Sequence, residues 1–208
     1  MKLGIFGASG FSREVLDIAI DTNDQTEIVF IDHEPVAQEL FGFSVLDESQ
    51  IENLVKDEYV FIIGVGDNKV RKTIYNKFQK LNYCNLIHST ATFGYKQKEN
   101  LKTGIGIVVV AGVRMTNNIL IGNFCVFNLN STIGHDCIIE DFVNLAPGAN
   151  ISGNVHICEG AYIGTNASII QGTDSKKIRI GCYSVVGANA VVTNDVPDFT
   201  VVKGVPAR

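Results

Sequence analysis

Residues 131–169 read STIGHDCIIEDFVNLAPGANISGNVHICEGAYIGTNASI, and every sixth position of the stretch from Ile133 is isoleucine or leucine: Ile133, Ile139, Leu145, Ile151, Ile157, Ile163 and Ile169. The file extends backward without a break through Phe127, Ile121, Met115 and Val109. Four residues after each file position stands a second, mostly small set, from Val113, Ile119, Cys125, Ser131 and Cys137 to Ala161, Ala167 and Thr173. A helix repeats near 3.6 residues and a sandwich places its turns irregularly, so neither sustains a period of six. One short strand and one turn per hexad does. Three hexads close a triangular coil in which the file residue fills the inside and the small residue fits beside the corner, and successive coils stack at the strand spacing of about 4.8 Å. Glycine after the file residue, as at Gly122, Gly134 and Gly164, together with asparagine, is read as supplying turns that other residues resist.

The period is interrupted once, by the polar run Thr173-Asp174-Ser175-Lys176-Lys177, and Ile180, Val186 and Val192 then resume it. The run reads as a loop leaving the prism. Upstream of residue 87 the pattern is different. Lys2 to Phe6 is a short apolar strand, Gly7-Ala8-Ser9-Gly10 a tight turn, and Ser12 to Ile20 a helix with Val15, Leu16, Ala19 and Ile20 at helical spacing. A second strand, Ile28 to Ile31, ends in Asp32-His33; after an irregular acidic connection come a strand from Tyr59 to Ile63, the turn Gly64-Val65-Gly66-Asp67-Asn68 and a helix from Lys69 to about Lys80. Strands that feed helices through glycine turns predict a parallel, Rossmann-like sheet with ligands at the carboxyl ends of its strands. The expected architecture is therefore an α/β domain over 1–86 followed by a β-helix over 87–208.

Composition narrows the function classes. The chain of 208 residues carries a net charge of −5 with its Lys and Arg scattered, which argues against a nucleic-acid binder. The opening MKLGIFGASGF lacks the apolar run of a signal peptide, and no stretch is long and apolar enough to span a bilayer. Five cysteines without a CxxC pair suit reduced thiols in a cytoplasmic protein and predict neither a disulfide framework nor a metal site. Cys125 and Cys137 stand in the small inward set, as core residues and not nucleophiles.

His135 lies two places after the file residue Ile133, at a turn where its imidazole faces outward, and imidazole is the side chain whose ordinary pKa suits a base near neutral pH. Gly153 follows it by three hexads, so the two occupy equivalent places on successive coils, within reach of one ligand. His33, His88 and His156 have no comparable context and read as surface, linker or packing residues.

The opening IFGASGF, the segment IGVGDNKVRKTI, the linker LIHSTA, the block quoted above and the tail VVKGVPAR together resemble the bacterial hexapeptide acyltransferases of the sialic-acid O-acetyltransferase and nucleotide-amino-sugar N-acetyltransferase group. The resemblance spans essentially the whole chain. It implies a left-handed β-helix, a homotrimer, and acetyl-CoA held between adjacent prisms, with no metal. It implies that His135 is the general base, that Asp136 orients its imidazole, and that the Gly153 N–H meets the thioester carbonyl. Asn144 stands where relatives often have His, and so implies an acetyl-CoA contact; Gly204 and Pro206 match the tail beside the CoA adenine, with Lys203 near its phosphates. The front domain falls to a nucleotide-linked sugar, held by the glycine turn (Gly7, Ser9, Gly10), by Phe11 and Ser12 where relatives place His then Gly, by Asp32 and by Gly66.

The reading that follows is acetyl-CoA-dependent N-acetylation of a nucleotide-linked 4-amino-4,6-dideoxy sugar for surface polysaccharide assembly, by direct attack in a ternary complex. Two alternatives stand beside it: O-acetylation of sialic acid or another sugar hydroxyl by the same residues, and a non-catalytic nucleotide-sugar-binding trimer. The α/β front domain differs from the helical one of serine acetyltransferases.

Overall fold

The computed structural model describes residues 1–22, 27–101 and 103–208. In the front domain, β1 (Lys2–Phe6) runs into the Gly7 turn, α1 (Gly10–Thr22) returns along the sheet, and β2 (Glu27–Asp32) lies parallel to β1. α1 turns Val15, Leu16, Ile18 and Ala19 inward as one apolar stripe, which is what seats it on the sheet. β3 (Glu39–Leu40), β4 (Phe43–Asp47), α2 (Ile51–Lys56), β5 (Tyr59–Ile63) and α3 (Asn68–Lys77) complete the unit, with strand order β3-β4-β2-β1-β5. The sheet is parallel except at its edge, where β3 pairs antiparallel with β4. β3 departs from the parallel order that the sequence predicts for the sheet: its two residues are too few to show alternation, and Phe41 and Gly42, both left-handed, make a tight hairpin turn.

The back half is a left-handed parallel β-helix. One face carries seven strands, from Leu86–Ile87 to Val201–Val202, a second carries six, from Thr92–Phe93 to Val191–Val192, and a third carries four, from Leu120–Ile121 to Ile178–Ile180. Val108 pairs with Val126, Val126 with Asn144 and Asn144 with Tyr162, a step of 18 residues per coil, as three hexads require. Val155 pairs with Ile178, a step of 23, and the five extra residues are those of the loop 173–177. Leu86, which the sequence leaves in the front domain, already pairs with Val108, while Tyr83 is still bridged to Phe61 of the front sheet.

The inner file from Val109 to Ile169 is at most 2% exposed except at Ile121, which is partly buried against the same core, and the small set is fully buried from Val113 to Ala167. Thr173 is exposed because the chain leaves the prism there. The corners differ from expectation. Left-handed backbone recurs at 106, 112, 118, 124, 130, 136, 142, 148, 154, 160 and 166, where Asn and Gly alternate with Phe124, Asp136 and Phe142. The glycines after the file residue are not among these positions. A Cβ on Gly134 would lie 2.5 Å from the Gly153 nitrogen and one on Gly164 2.6 Å from the Ala188 nitrogen, so glycine there permits close stacking of the next coil.

The two parts are packed together. Val108, Val110 and Val126 point out of the seven-stranded face yet are buried with Leu3, Ile5 and Val15, and Phe124 and Phe142, stacked 5.3 Å apart, join Phe61, Tyr75 and Tyr83. Each such apolar side chain removed from water contributes about 1.5–3 kcal/mol. Arg71 pins the same junction at 1% exposure. Its Nε donates to Phe124 O, Nη1 to Val65 O and Gly66 O, and Nη2 to Asn68 Oδ1 and Phe142 O, at 2.9–3.3 Å, so all five N–H groups are matched.

Candidate active site

The corner between the six- and four-stranded faces is a column of Asn118, Asp136 and Asn154, all left-handed, the conformation that Asn and Asp tolerate best among residues with a Cβ. His135 precedes Asp136 in this column, with its imidazole 45% exposed and Nδ1 2.6 Å from Asp136 Oδ2. The Asn118 amide donates to the other carboxylate oxygen, Oδ1. The Asn118 amide first, and then His135, hold the Asp136 carboxyl below its ordinary pKa, so it is a carboxylate at neutral pH. A carboxylate on Nδ1 places the proton there and leaves Nε2 with its lone pair.

Nε2 lies over Gly153 of the next coil: a Cβ built on that glycine would be 2.6 Å from it. The Gly153 N–H has no acceptor among the described residues. The imidazole and Gly153 thus stand side by side; a lone pair on Nε2 suits removal of a proton, and a backbone amide without an acceptor suits a developing oxyanion. The backbone behind them is tied, with Asn154 N donating to His135 O at 2.9 Å. Lys177, from the inserted loop, donates to Asp136 O at 2.5 Å and to Asn154 Oδ1 at 3.2 Å. A cavity of about 410 Å³ opens beside the column, lined by Asn118, Asp136, Asp174 and Lys177 among others.

A second group of predicted residues converges at the carboxyl ends of β1, β2 and β5. Gly7 is left-handed (φ 97°), and a Cβ there would press on Val65 at 3.1 Å and on Gly64 O at 3.3 Å. The Asp32 carboxylate accepts from Ala8 N at 3.1 Å and from Glu34 N at 3.3 Å, joining the second strand to the glycine turn. Ser9 and Gly10 are exposed, and Phe11 stands across from Gly66. Ser12 departs from this group: it is fully buried, its hydroxyl donates to Ser9 O at 2.7 Å, and Gly64 packs on its Cα, so it braces the turn and offers nothing to a ligand.

Asn144 stands apart, within the chain, from the other residues expected to meet acetyl-CoA. It lies on the seven-stranded face, not at the His135 corner, is 6% exposed and donates to Gly66 O at 2.8 Å, which places it under the front domain. Its Oδ1 is buried without a donor. Lys203, Gly204 and Pro206 are exposed at the far end of the prism, where the tail folds back through Val191 N to Gly204 O and Ala207 N to Val191 O. Cys125 is buried, with its thiol pushed up to about 12 by desolvation, and Cys137 is equally buried, so neither is a nucleophile. Sequence reasoning missed Arg71, Asn118 and Lys177. The coil period applied to Asp136 would have found Asn118, one coil before; Arg71 and Lys177 carry no local signal.

Residues 2–78 match the family model described as the PglD N-terminal domain. Over 99% of its length, and 94% of the relative's, the chain is 31% identical to the GDP-perosamine N-acetyltransferase of Escherichia coli O157:H7. The chain belongs to the bacterial sugar acyltransferase family. Two members among the solved structures share its whole architecture. WeeI from Acinetobacter baumannii AYE matches with a TM-score of 0.90 and 32% identity, covering 100% of this chain and 99% of that one. The acetyltransferase domain of PglB from Neisseria gonorrhoeae FA1090, in complex with acetyl coenzyme A, matches with a TM-score of 0.88 and 29% identity, covering 100% and 98%.

Proposed function

We propose that the protein transfers the acetyl group of acetyl-CoA to the amine of a nucleotide-linked 4-amino-4,6-dideoxy sugar. The observation that carries the reading is the His135–Asp136 pair set over the free N–H of Gly153. The amine nitrogen attacks the thioester carbon while His135 Nε2 takes its proton and Asp136 balances the imidazolium. The carbonyl oxygen gathers charge against the Gly153 amide. The C–S bond then breaks, the proton passes to sulfur, and an amide and free CoA leave. The acetyl coenzyme A in the gonococcal PglB domain and the GDP-perosamine named for the E. coli relative support the donor and the acceptor class.

The prism takes acetyl-CoA, with Lys203, Gly204 and Pro206 toward its nucleotide, and the front domain takes the nucleotide through Gly7, Ser9, Gly10, Phe11, Asp32 and Gly66. The assembly that this reading takes is a homotrimer. The front domain covers the seven-stranded face, and His135 stands at the corner between the other two faces, which in a triangular prism is the corner opposite. A sugar held by one front domain meets the His135 of a neighbour. Free cysteines and the absence, among the described residues, of a helix able to cross a membrane accord with a cytoplasmic enzyme of surface polysaccharide assembly.

The test is release of the CoA thiol with UDP-, dTDP- and GDP-linked amino sugars, with sialic acid and serine beside them, each repeated with His135→Ala. Turnover of one amino sugar that the variant abolishes is the expected result. Turnover of a hydroxyl acceptor alone, or unchanged turnover by His135→Ala, overturns it.

A further inference from the structure

We infer that Glu140, His156 and Cys158, with Cys182 beside them, form a transition-metal site of the zinc class at the edge of the four-stranded face. A carboxylate oxygen, an imidazole nitrogen and a thiol sulfur lie there within 4.8 Å of one another. Zinc takes this mixture of donors at about 2.0–2.3 Å, which sets them roughly 3.5 Å apart in a tetrahedron, so small side-chain adjustments close the set. The ligands come from successive coils. His156 pairs with Ile138 in the ladder, Glu140 N donates to Ile157 O, and Cys158 N donates to Ile180 O, each at 2.9 Å for the latter two. Because the spacing is that of the coil, no CxxC pattern marks these residues in the sequence.

The surroundings are built for a cation. Glu140 Oε2 accepts from Glu159 N at 2.9 Å, which fixes the carboxylate, and Oε1 holds His156 Nε2 at 2.6 Å. Arg179, opposite His156 in the ladder, is turned to Asp198 at 2.7 Å, so its charge is matched elsewhere. Cys158 is 2% exposed, with the Cys182 side chain beside it. A metal ion displaces the Cys158 thiol proton to solvent as the metal–sulfur bond forms; no electrons move. Cys182 is partly exposed, so the fourth position goes to its sulfur or to water. The site is separate from the His135 corner, and its fate does not depend on the proposed acetyl transfer.

The experiment uses the full chain, reduced and treated with chelator, titrated with Co²⁺ as a spectroscopic probe and then with Zn²⁺ as competitor. One Co²⁺ per chain with a thiolate-to-cobalt charge-transfer band, displaced by Zn²⁺, is expected. Cys158→Ser weakens the band, Cys158→Ser combined with Cys182→Ser abolishes it, and His156→Gln weakens binding at least about 10-fold, all with unchanged circular dichroism. Zn²⁺ raises the melting temperature of the wild type and not of Cys158→Ser combined with Cys182→Ser. The inference is overturned if the reduced protein shows no thiolate band, if the band survives in Cys158→Ser combined with Cys182→Ser, or if His156→Gln binds as tightly as the wild type. Metal-free wild type keeps its acetyl transfer, which separates failure here from failure of the proposed function.

Discussion

Gly153→Ala tests the active-site geometry most sharply. The new Cβ would lie 2.6 Å from His135 Nε2, 2.7 Å from Cε1 and 3.0 Å from Cδ2, whereas ordinary contact is about 3.5 Å or more. The imidazole must retreat by roughly 1 Å. Its tether to Asp136 is 2.6 Å long, and adding such a displacement takes it beyond hydrogen-bond length. The base then loses both its position and the group that sets its tautomer. A misplacement of this size costs about 10²-fold in rate, or about 2.7 kcal/mol of transition-state stabilisation. Folding is little affected, because Gly153 is not in left-handed backbone and the ring, 45% exposed, can swing into solvent. The assay is initial-rate thiol release with the acceptor identified by the panel, resolved into kcat and KM, beside a thermal melt. A fall in kcat of about 10²-fold with KM and melting temperature held is expected. A kcat within about 3-fold of wild type, with the alanine folded, would refute the view that the observed Nε2 position is the working one.

Asp136→Asn keeps a residue that accepts left-handed backbone but removes the charge on Nδ1, so kcat should fall at least about 10-fold while the fold, followed by circular dichroism, is retained. The Asp136 carboxyl has a folded pKa depressed below the ordinary 3.8, chiefly by the Asn118 amide and then by His135; its contribution to stability is therefore present above that range and is lost as pH falls through the folded value. Asn118→Ala removes the larger cause and should move the acid-unfolding midpoint, followed by circular dichroism, to higher pH. Arg71→Lys offers three donors to five acceptors at a buried junction and should cost about 3 kcal/mol, read as a drop of roughly 10 °C in melting temperature. Asn144→Ala releases Gly66 and should raise KM for the nucleotide sugar and not for acetyl-CoA; the reverse pattern would return Asn144 to the CoA site.

The prism was legible because its signal is global. Eleven consecutive file residues from Val109 to Ile169 agree, and the same core constraint acts on each of them. β1 and β5 were legible to the residue because they are short apolar runs ending in glycine turns, whereas β3 and β4 were not, since an edge hairpin of a few half-exposed residues satisfies its needs without a pattern. The same contrast runs through the site. His135 and Gly153 are related by the coil period and could be placed together from numbers alone. Asn144 could not be placed, because whether an outward residue of the prism meets solvent or the front domain depends on docking, and docking is determined by Val108, Val126 and the buried Arg71, none of which differs locally from its neighbours. Ser12 was misjudged for a related reason: one residue past Phe11, a helix turns its side chain from the ligand side to the sheet.

The His135–Asp136 pair also shows how scaffold and chemistry can select the same residue. The corner at 136 must be left-handed, as must those at 118 and 154 above and below it, and this restricts each to Gly, Asn or Asp at low cost. Glycine offers no side chain. Asparagine at 136 would place a neutral amide against His135, and only aspartate supplies the charge that keeps a proton on Nδ1. Asparagine is then the apt choice at 118, where its amide must donate to that carboxylate, and at 154, where its backbone N–H holds the His135 carbonyl and its side-chain oxygen receives Lys177. A second carboxylate at 118 would face the first at hydrogen-bond range and raise its pKa, undoing the arrangement. The order Asn, Asp, Asn down this corner is thus what a left-handed column becomes when one of its members must stay charged beside an imidazole.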